Sequence, residues 1–450
     1  MSQHSEAIQP VYKTEFPNQP IEIYKGRMTL HREIEGRKSS ISGNGVLKFE
    51  WAHQSKVTFE LNHESPSRFF FHGNNASKVK ETLEIEELNA SIEVIASYFS
   101  GSEKIAYGSI VDDIEVGESS DLQNIQFHIS NFHDYVGKGI EKDSQFWTGR
   151  LLLEVNDWKI SIDSLEPTER KKLKACMRRK GGIAITHVGR IERIDGQCFN
   201  AVQCQNTLKE LFYFLSFLRG LWVGIVLAVG FDNYGNLVWE KWSNQKTSLY
   251  IGVQSWFPIQ NRTRSIDFLF ANFTRLFESD EYKEPLMLAV HWYIESNLQA
   301  GAVEGSILMA QAAFEMLFEV ILGSRSIKIK ADKKLERLFQ WASLPVDCEN
   351  ISADDARLHE LKELIERSSD ISNLPDAITR IRNRFTHPKH RKNEVSMVYE
   401  THVRIQAWQI CMWYLELSIL RWLEYNDVYK NRMKFNYEGD YENVPWLEES

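Results

Sequence analysis

The chain has few of the features that mark secreted, disulfide-stabilised or zinc-binding proteins. Its 450 residues include five cysteines, and no two of them have the C-x-x-C spacing of zinc or redox sites. The opening stretch, MSQHSEAIQPVYKTEFPNQP, has no apolar core of a signal peptide, so none is predicted. These absences favour a cytoplasmic protein with reduced thiols and argue against a disulfide framework or structural zinc.

Several catalytic and nucleotide-binding motifs are also missing from the sequence. It contains no Walker A loop, no G-x-G-x-x-G fingerprint, no nucleophile elbow and no H-E-x-x-H motif. The net charge of −9 and the pI near 5.9 argue against a protein that coats nucleic acid, so any nucleic-acid site must be local. The 43% hydrophobic content suffices for full-sized cores, and the length suggests two or three domains.

One apolar run, LFYFLSFLRGLWVGIVLAVG (Leu211–Gly230), is long enough to cross a bilayer. Arg219 and Gly220 lie at its middle, where a charge costs about 2.5–3.5 kcal/mol on insertion scales. The Asp-Asn-Tyr-Gly-Asn that follows is typical of a hairpin turn. We therefore predict a buried helix over about 205–218, a turn at Arg219–Gly220 and a buried strand over about 221–231, with no membrane span.

The first 260 residues have mainly the alternating pattern of half-buried β-strands. VLKFEWA places Leu47, Phe49 and Trp51 on one face, and VTFEL and WKISID repeat the alternation. Clusters of turn-forming residues are predicted to separate the strands: SGNG (42–45), HGNN (72–75) and IDG (194–196). The segment PTERKKLKACMRRKGG (167–182) predicts a short basic helix closed by glycines. Its charges indicate either a solvated helix face or a second nucleic-acid contact.

Past about residue 265 the apolar spacing changes to that of packed helices. The clearest seam is Ile307, Ala310, Phe314, Leu317 and Ile321, and others surround Leu335, Leu361, Ile378 and Trp408. A further helix is predicted over about 283–298. We therefore predict an α+β multidomain protein with a β-rich N-terminal sensor or regulatory region (1–265) and an all-α bundle (266–436). A further split of the first region near 165–200 is left open.

The most unusual stretch is RIRNRFTHPKHRK (380–392), which has six Arg and Lys residues, two His and no acid. Arg382 lies beside the apolar seam of its helix, at the edge of the core. Pro388 disfavours helical backbone at His387, which would place that histidine at a helix C-terminus. The simplest interpretation is that these cations complement the helix dipole, each contributing about 0.3–1 kcal/mol.

The spacing Arg382-Asn383-x-x-x-His387-Pro388, placed before the last long helix of a bundle, resembles the active-site motif of HEPN ribonucleases. LMAQAAFEMLFEVIL, with Glu315 in its apolar seam, resembles the opening helix of that family. GGIAITHVGRIERIDG (181–196), FLSFLRG (214–220) and GFDNYGNLVW are similar to segments of the ApeA-type anti-phage HEPN proteins. The resemblance covers nearly the whole chain.

This resemblance implies a metal-independent endoribonuclease that acts as a homodimer, uses no cofactor and serves abortive anti-phage defence. Arg382 and His387 would be catalytic, with Asn383 orienting them, and two copies of the motif would form one composite site. The RNA contacts would come from the flanking residues Arg380, Arg384, Lys389, His390, Arg391 and Lys392. Host RNA, with tRNA as a candidate, and a phage-encoded trigger protein are the implied partners.

Other interpretations remain open at this point. The chain could be a non-catalytic HEPN-like module that binds a partner, or a β-sandwich binding protein with a helical dimerisation tail. The His387–His390 pair lacks the acidic or cysteine neighbours of a metal site, and His291 with Glu295 is better explained as a structural or solvated pair. The aromatic residues of the final helix (Trp408, Trp413, Tyr414, Trp422) are predicted to leave apolar surface for a second copy.

Overall fold

The fold combines a β-rich N-terminal half with a helical C-terminal half, which confirms the coarse α+β layout. The structure is a computed structural model that describes residues 5–34, 36–51, 55–64, 79–100, 102–259, 265–323, 329–386, 400–435, 437 and 440–447. The HGNN segment predicted as a turn lies outside these residues. The prediction of domain bounds at 265 stays a prediction.

The strands of the N-terminal half form two sheets. In chain order the first nine strands are β1 (Ser5–Glu6), β2 (Ile21–Ile34), β3 (Arg37–Glu50), β4 (Lys56–His63), β5 (Val79–Ile85), β6 (Ala90–Ser100), β7 (Ile105–Ile110), β8 (Ile114–Gly117) and β9 (Asn124–Ser130). The next six are β10 (Lys138–Lys142), β11 (Gln145–Val155), β12 (Trp158–Ser164), β13 (Ile185–Arg193), β14 (Ile225–Phe231) and β15 (Leu237–Trp242). Strands β2 to β7 close into a barrel in the order β2-β3-β4-β7-β6-β5, and the others form a sheet in the order β1-β10-β11-β12-β13-β9-β14-β15-β8.

The barrel confirms the alternation read from the sequence and corrects one predicted turn. Leu47 and Phe49 of β3 are buried, whereas Lys48 between them is partly exposed. The SGNG segment is not a turn, because residues 42–45 lie inside β3 and pair with both β2 and β4. A Cβ atom on Gly43 would lie 1.9 Å from the backbone oxygen of Asn62. Glycine at this position therefore lets two strands of the barrel approach closely.

Two helices are inserted among the strands of the open sheet, α1 (Pro167–Lys180) and α2 (Ala201–Arg219). Both confirm the sequence predictions, as does the turn at 194–196. The apolar run from Leu211 divides as expected: α2 ends at Arg219, Gly220 adopts a left-handed φ of 70°, and β14 follows. Residues 232–236 then form the turn between the paired strands β14 and β15.

The C-terminal half is a bundle whose core is continuous with that of the open sheet. Its helices are α3 (Ser265–Phe277), α4 (Lys283–Asn297), α5 (Ala302–Leu322), α6 (Ala331–Trp341), α7 (His359–Arg367), α8 (Leu374–Thr386) and α9 (Thr401–Trp422), followed by the short strands β16 (Val428–Tyr429) and β17 (Glu442–Asn443). Phe127 of β9, Phe214 of α2, Phe273 of α3 and Leu415 of α9 belong to one buried cluster. Each such side chain contributes about 1.5–3 kcal/mol on burial, so the two halves stabilise each other.

The prediction that α9 leaves aromatic surface for a partner is wrong. Trp413, Tyr414 and Trp422 are all buried within the chain. Trp408 is partly buried, and its indole nitrogen donates to the carbonyl oxygen of Ser296 at 3.0 Å. The aromatic content that seemed excessive for a small bundle is used because this helix packs at the centre of a larger core.

One helix in the described part of the chain, α5, is long and apolar enough to cross a membrane by its length and composition. The same property is found in core helices of soluble proteins. Ile307, Phe314 and Leu317 of α5 are completely buried here, and 44% of its apolar window is buried in the fold.

Candidate functional site: the Arg382 edge of the bundle

The first half of the basic motif lies on α8, which packs its apolar side into the bundle. Leu374, Ala377, Ile378 and Ile381 are buried, as the 3.6-residue period of the sequence predicts. Arg382 follows this seam and faces α5, so its side chain is partly buried at the rim of the core, with 22% of its surface exposed. The helix therefore orients Arg382 towards its neighbour α5.

Two polar side chains of α5 hold the guanidinium of Arg382. Its Nε donates to Oε1 of Gln311 at 3.0 Å, and its Nη2 donates to the carboxylate of Glu315. Gln311 and Glu315 are four residues apart, so they lie on one face of α5. The third nitrogen, Nη1, donates to the side-chain oxygen of Asn383 at 3.2 Å. All three nitrogens have partners, so the position and direction of this cation are fixed.

The hydrogen bonds of Arg382 also matter for stability, although this side chain does not fill the core. Gln311 is only 1% exposed, and its Nε2 atom has no hydrogen-bond partner among the described residues. Loss of Arg382 would leave the amide oxygen of Gln311 unpaired as well, and a buried unpaired polar group costs about 1–3 kcal/mol.

The role of Gln311 was missed in the sequence. It lies 71 residues before Arg382, and no local pattern connects the two positions. A signal was present, however, because Gln311 and Glu315 are polar residues at i and i+4 beside the apolar seam of α5. A buried amide such as that of Gln311 requires a polar partner.

The remaining described members of the motif do not gather around Arg382. Arg380 is about 200° away around the helix, and its Nε donates to Asp376 at 2.7 Å. Asn383 is exposed beside Arg382, and Arg384 is partly buried. His387, Lys389, His390, Arg391 and Lys392 lie outside the described residues. The structure thus brings Arg382 and Asn383 together and places Arg380 on another side of α8.

The side chains that could bind a metal do not gather in one place within the described residues. In the part of the chain that the structure describes, no three His, Cys, Asp or Glu residues come close enough to hold a metal ion. Glu295, four residues after His291, accepts hydrogen bonds from the indole of Trp222 at 2.8 Å and from Lys246 at 2.7 Å. Glu295 is therefore engaged in structural contacts, in agreement with one of the two interpretations, structural or solvated, of the His291–Glu295 pair.

Two stretches of the chain are similar to known protein domains, and both domains are described under one protein name. Residues 117–253 match a family model described as the YopA central domain, and residues 279–443 match one described as the YopA C-terminal domain. The second stretch contains α5 and α8, and so contains the site around Arg382.

The chain is also similar to the SPbeta prophage-derived uncharacterized protein YopA of Bacillus subtilis (strain 168). The two are 25% identical over 433 residues, an alignment that covers 95% of each chain. No solved structure matches the chain.

Proposed function

We propose that the protein is a metal-independent endoribonuclease of the HEPN type, acting in anti-phage defence by abortive infection. The observation that supports this most directly is the fixed guanidinium of Arg382 at the rim of a helical bundle, five positions before His387. A cation at a fixed position is what stabilisation of a charged phosphorane requires, because preorganised charge needs no rearrangement during the reaction.

The chemistry follows from the properties of three side chains. Histidine is the side chain whose ordinary pKa lies near neutral pH, so the role of His387 would be to take the proton of the ribose 2′-OH or return one to the leaving 5′-oxygen. Arg382 stabilises the negative charge that develops on the phosphorus oxygens. Asn383, bonded to Arg382, orients it. The 2′-oxygen bonds to phosphorus as the 5′-oxygen leaves, giving a 2′,3′-cyclic phosphate and a 5′-hydroxyl.

The flanking cations would supply contacts to the RNA backbone, which give affinity with little sequence selectivity. Before RNA binds, the side chain of Arg380 is already held by Asp376. The phosphate contacts are assigned to Arg380, Arg384, Lys389, His390, Arg391 and Lys392, and Arg380 would have to leave Asp376 to make one. The expected substrate is host RNA, with tRNA as a candidate, in the cytoplasm.

The proposed assembly is a homodimer in which two copies of the motif face one cleft. One chain provides one His387, whereas the reaction needs both a proton acceptor and a proton donor. An isologous interface would bring the second copy to the same phosphate. Since the aromatic residues of α9 are buried, the proposal places this interface near the end of α8 rather than on α9. Activation by a phage-encoded protein fits this setting, since one relative is named as prophage-derived.

A second candidate function has an observation in its favour. All three nitrogens of Arg382 are already paired within the chain, which is also what a purely structural arginine would show. In that case the bundle would be a non-catalytic HEPN-like module that binds a partner. The two candidates differ in whether the Arg382–Glu315 pair opens to phosphate when RNA binds.

The direct test is to incubate the purified full-length protein with total RNA in EDTA. The proposal predicts cleavage by the wild type and loss of cleavage in His387→Ala. A matched control is His402→Ala, since His402 is an exposed histidine on α9 of the same bundle. Equal cleavage by His387→Ala and His402→Ala would reject the assigned site, and RNA binding without cleavage by the wild type would favour the non-catalytic module.

A further inference from the structure

A second cluster of ionisable side chains lies in the β-rich half, far along the chain from Arg382. It forms at one end of the open sheet, where β9, β12, β13 and β14 meet α1 and the last turn of α2. Its members, called here the sheet-end cluster, are His133, Asp134, Arg170, Lys174, His187 and Arg219. His187 is completely buried and Arg219 is 6% exposed, whereas the side chain of Asp134 is 33% exposed, so the cluster extends from the interior to the surface.

Part of the basic helix α1 points into this cluster. Lys174 donates to Oδ2 of Asp134, and Nε of Arg170 lies 3.6 Å from the same oxygen. Arg170 also donates to the hydroxyl of Ser164 at 2.9 Å. Arg170 and Lys174 are one helical turn apart, so this face of α1 is turned inward rather than towards solvent. Neither interpretation of the basic segment from the sequence included this role.

Arg219 brings a third positive charge to the same place. Its Nη2 donates to the backbone oxygen of Ile251 at 3.1 Å, whereas its Nε has no hydrogen-bond partner. No carboxylate within the described ranges forms an ion pair with it. Burial lowers the pKa of Arg219, as expected for a cation taken out of water. Arg170 and Lys174 thus face the carboxylate of Asp134, and Arg219 adds a third positive charge near His133.

Four buried polar atoms of the cluster have no partner among the described residues: Nε2 of His133, Oδ1 of Asp134, Nε2 of His187 and Nε of Arg219. Each such atom costs free energy unless something binds it. The rings of His133 and His187 both contact Phe132, at centroid distances of 4.6 and 5.3 Å. The two histidines therefore lie on the same phenylalanine ring.

The hydrogen bonds of Thr186 indicate which of these unpaired atoms are hydrogen-bond acceptors. Its hydroxyl oxygen accepts from the backbone nitrogen of Phe132 and donates to the carbonyl of Ile129. We assign the proton between Thr186 and Nδ1 of His187, 3.0 Å apart, to the imidazole, because this tautomer keeps the hydroxyl's bond to Ile129. In this tautomer Nε2 of His187 is an acceptor. Oδ1 of Asp134 is a second acceptor, whereas Nε of Arg219 is a donor.

Both histidines are neutral in this setting. Burial lowers the pKa of His187 to about 3, against a smaller opposing effect of Asp134. Burial first, and then the charge of Arg219, hold the pKa of His133 well below its usual range. A neutral imidazole donates one hydrogen bond and accepts one, so the cluster as a whole offers both donors and acceptors to a ligand.

We propose that the sheet-end cluster is a binding site for a protonated oxyanion of the phosphate class. Three cations against one carboxylate favour an anion and repel a metal ion, and no metal-holding triad occurs among the described residues. The ligand accepts from Arg219 and Lys174, and its own hydroxyl donates its one proton to the free oxygen of Asp134. Inorganic phosphate carries such a proton near neutral pH, a phosphate monoester carries one below its second pKa of about 6, and sulfate carries none. This inference does not depend on the proposed ribonuclease function.

The test is binding of inorganic phosphate to the full-length protein, followed by calorimetry and by the thermal unfolding midpoint. We expect saturable binding and a rise in Tm with phosphate, and binding weaker by more than about tenfold with sulfate at equal ionic strength. Lys174→Met should remove binding, while Lys171→Met, an exposed lysine of the same helix, should retain it. Lys174 is partly exposed, so its variant is expected to fold even where Arg219→Met does not.

Two further binding measurements identify the source of the ligand and the role of Asp134. A nucleoside 5′-monophosphate that binds more tightly than inorganic phosphate would indicate a phosphomonoester ligand, and the reverse order would indicate free phosphate. Asp134→Asn should let sulfate bind, because the amide can donate to it. The proposal is overturned by absence of saturable phosphate binding, by equal wild-type affinity for sulfate, or by undiminished binding in Lys174→Met. None of these readouts involves RNA.

Discussion

The side chain of Arg382 on α8 donates from Nε to the buried amide oxygen of Gln311 on α5, at 3.0 Å. This bond joins two helices of the bundle and fixes the direction of a cation that borders the core. It gives Arg382 a structural effect in addition to the catalytic one proposed for it. The two effects can be separated because they are measured in different experiments.

Arg382→Ala should destabilise the protein by about 1–3 kcal/mol, because the amide oxygen of Gln311 loses its donor inside the core. The free energy of unfolding in urea measures this effect. Arg275→Ala, which removes an exposed arginine paired with Glu424, is the control and should change stability by less than about 0.5 kcal/mol. Equal stability of Arg382→Ala and the wild type would show that the hydrogen bond to Gln311 contributes nothing.

Asn383→Ala should reduce RNA cleavage less than Arg382→Ala does. Asn383 is exposed and contacts Nη1 of Arg382, which keeps its bonds to Gln311 and Glu315 in the variant. We expect a loss of about tenfold or less, compared with about 10²–10⁴-fold for removal of a catalytic proton-transfer group. Initial rates on one RNA measure the difference. A loss as large as that of His387→Ala would mean that Asn383 takes part in the reaction itself.

Glu210 of α2 should make the protein less stable as pH rises. Its carboxylate is buried against α3, where Thr274 donates to it at 3.1 Å, and burial raises its pKa to about 7. Between pH 4.5 and 7 the folded state binds this proton more tightly than the unfolded state, so stability falls as pH increases through that range. The loss is on the order of 2–3 kcal/mol by pH 8.

Glu210→Gln keeps the hydrogen bond from Thr274 and removes the titration. We expect the variant to be more stable than the wild type at pH 8, with a flatter dependence of unfolding free energy on pH. Urea unfolding at pH 5.5 and pH 8 measures both proteins. Parallel pH profiles for wild type and variant would show that Glu210 does not titrate in this range.

The dimeric site can be tested by mixing inactive subunits. Arg382→Ala and His387→Ala, co-expressed with different tags and purified as a heterodimer, should stay well below wild-type activity, because a shared cleft would still lack one group of each kind. Homodimers of each variant serve as controls. Near-full activity of the heterodimer would mean that the sites are separable, and an active monomer in light scattering would also contradict the dimeric cleft.

The sequence predicted the elements that depend on local periodicity. The alternation around Phe49, the helix ending at Arg219 and the seam of Ile378 and Ile381 are all present, because each pattern reflects which side of one element is buried. The glycines of 42–45 were misassigned for a physical reason. Glycine is needed equally at turns and where strands approach closely, and only the pairing of β3 with β4 distinguishes the two.

The sequence could not predict contacts between distant segments. The bond from Arg382 to Gln311 and the sheet-end cluster around Asp134 bring together side chains from separate elements, and no local pattern encodes such pairings. The aromatic residues of α9 were assigned to a partner because the bundle was considered alone. The sheet and the bundle share one core, and this larger core buries Trp413 and Tyr414.

The central claim is that this bundle cuts RNA through the 2′-OH with His387. The most direct measurement is end-group analysis of RNA incubated with wild-type protein in EDTA, together with the same RNA carrying a 2′-deoxyribose at the cut position. We predict products with a 2′,3′-cyclic phosphate and a 5′-hydroxyl, no cleavage at the 2′-deoxy position, and none by His387→Ala. Products with 5′-phosphates, cleavage at the 2′-deoxy position, or wild-type rates in His387→Ala would contradict the account.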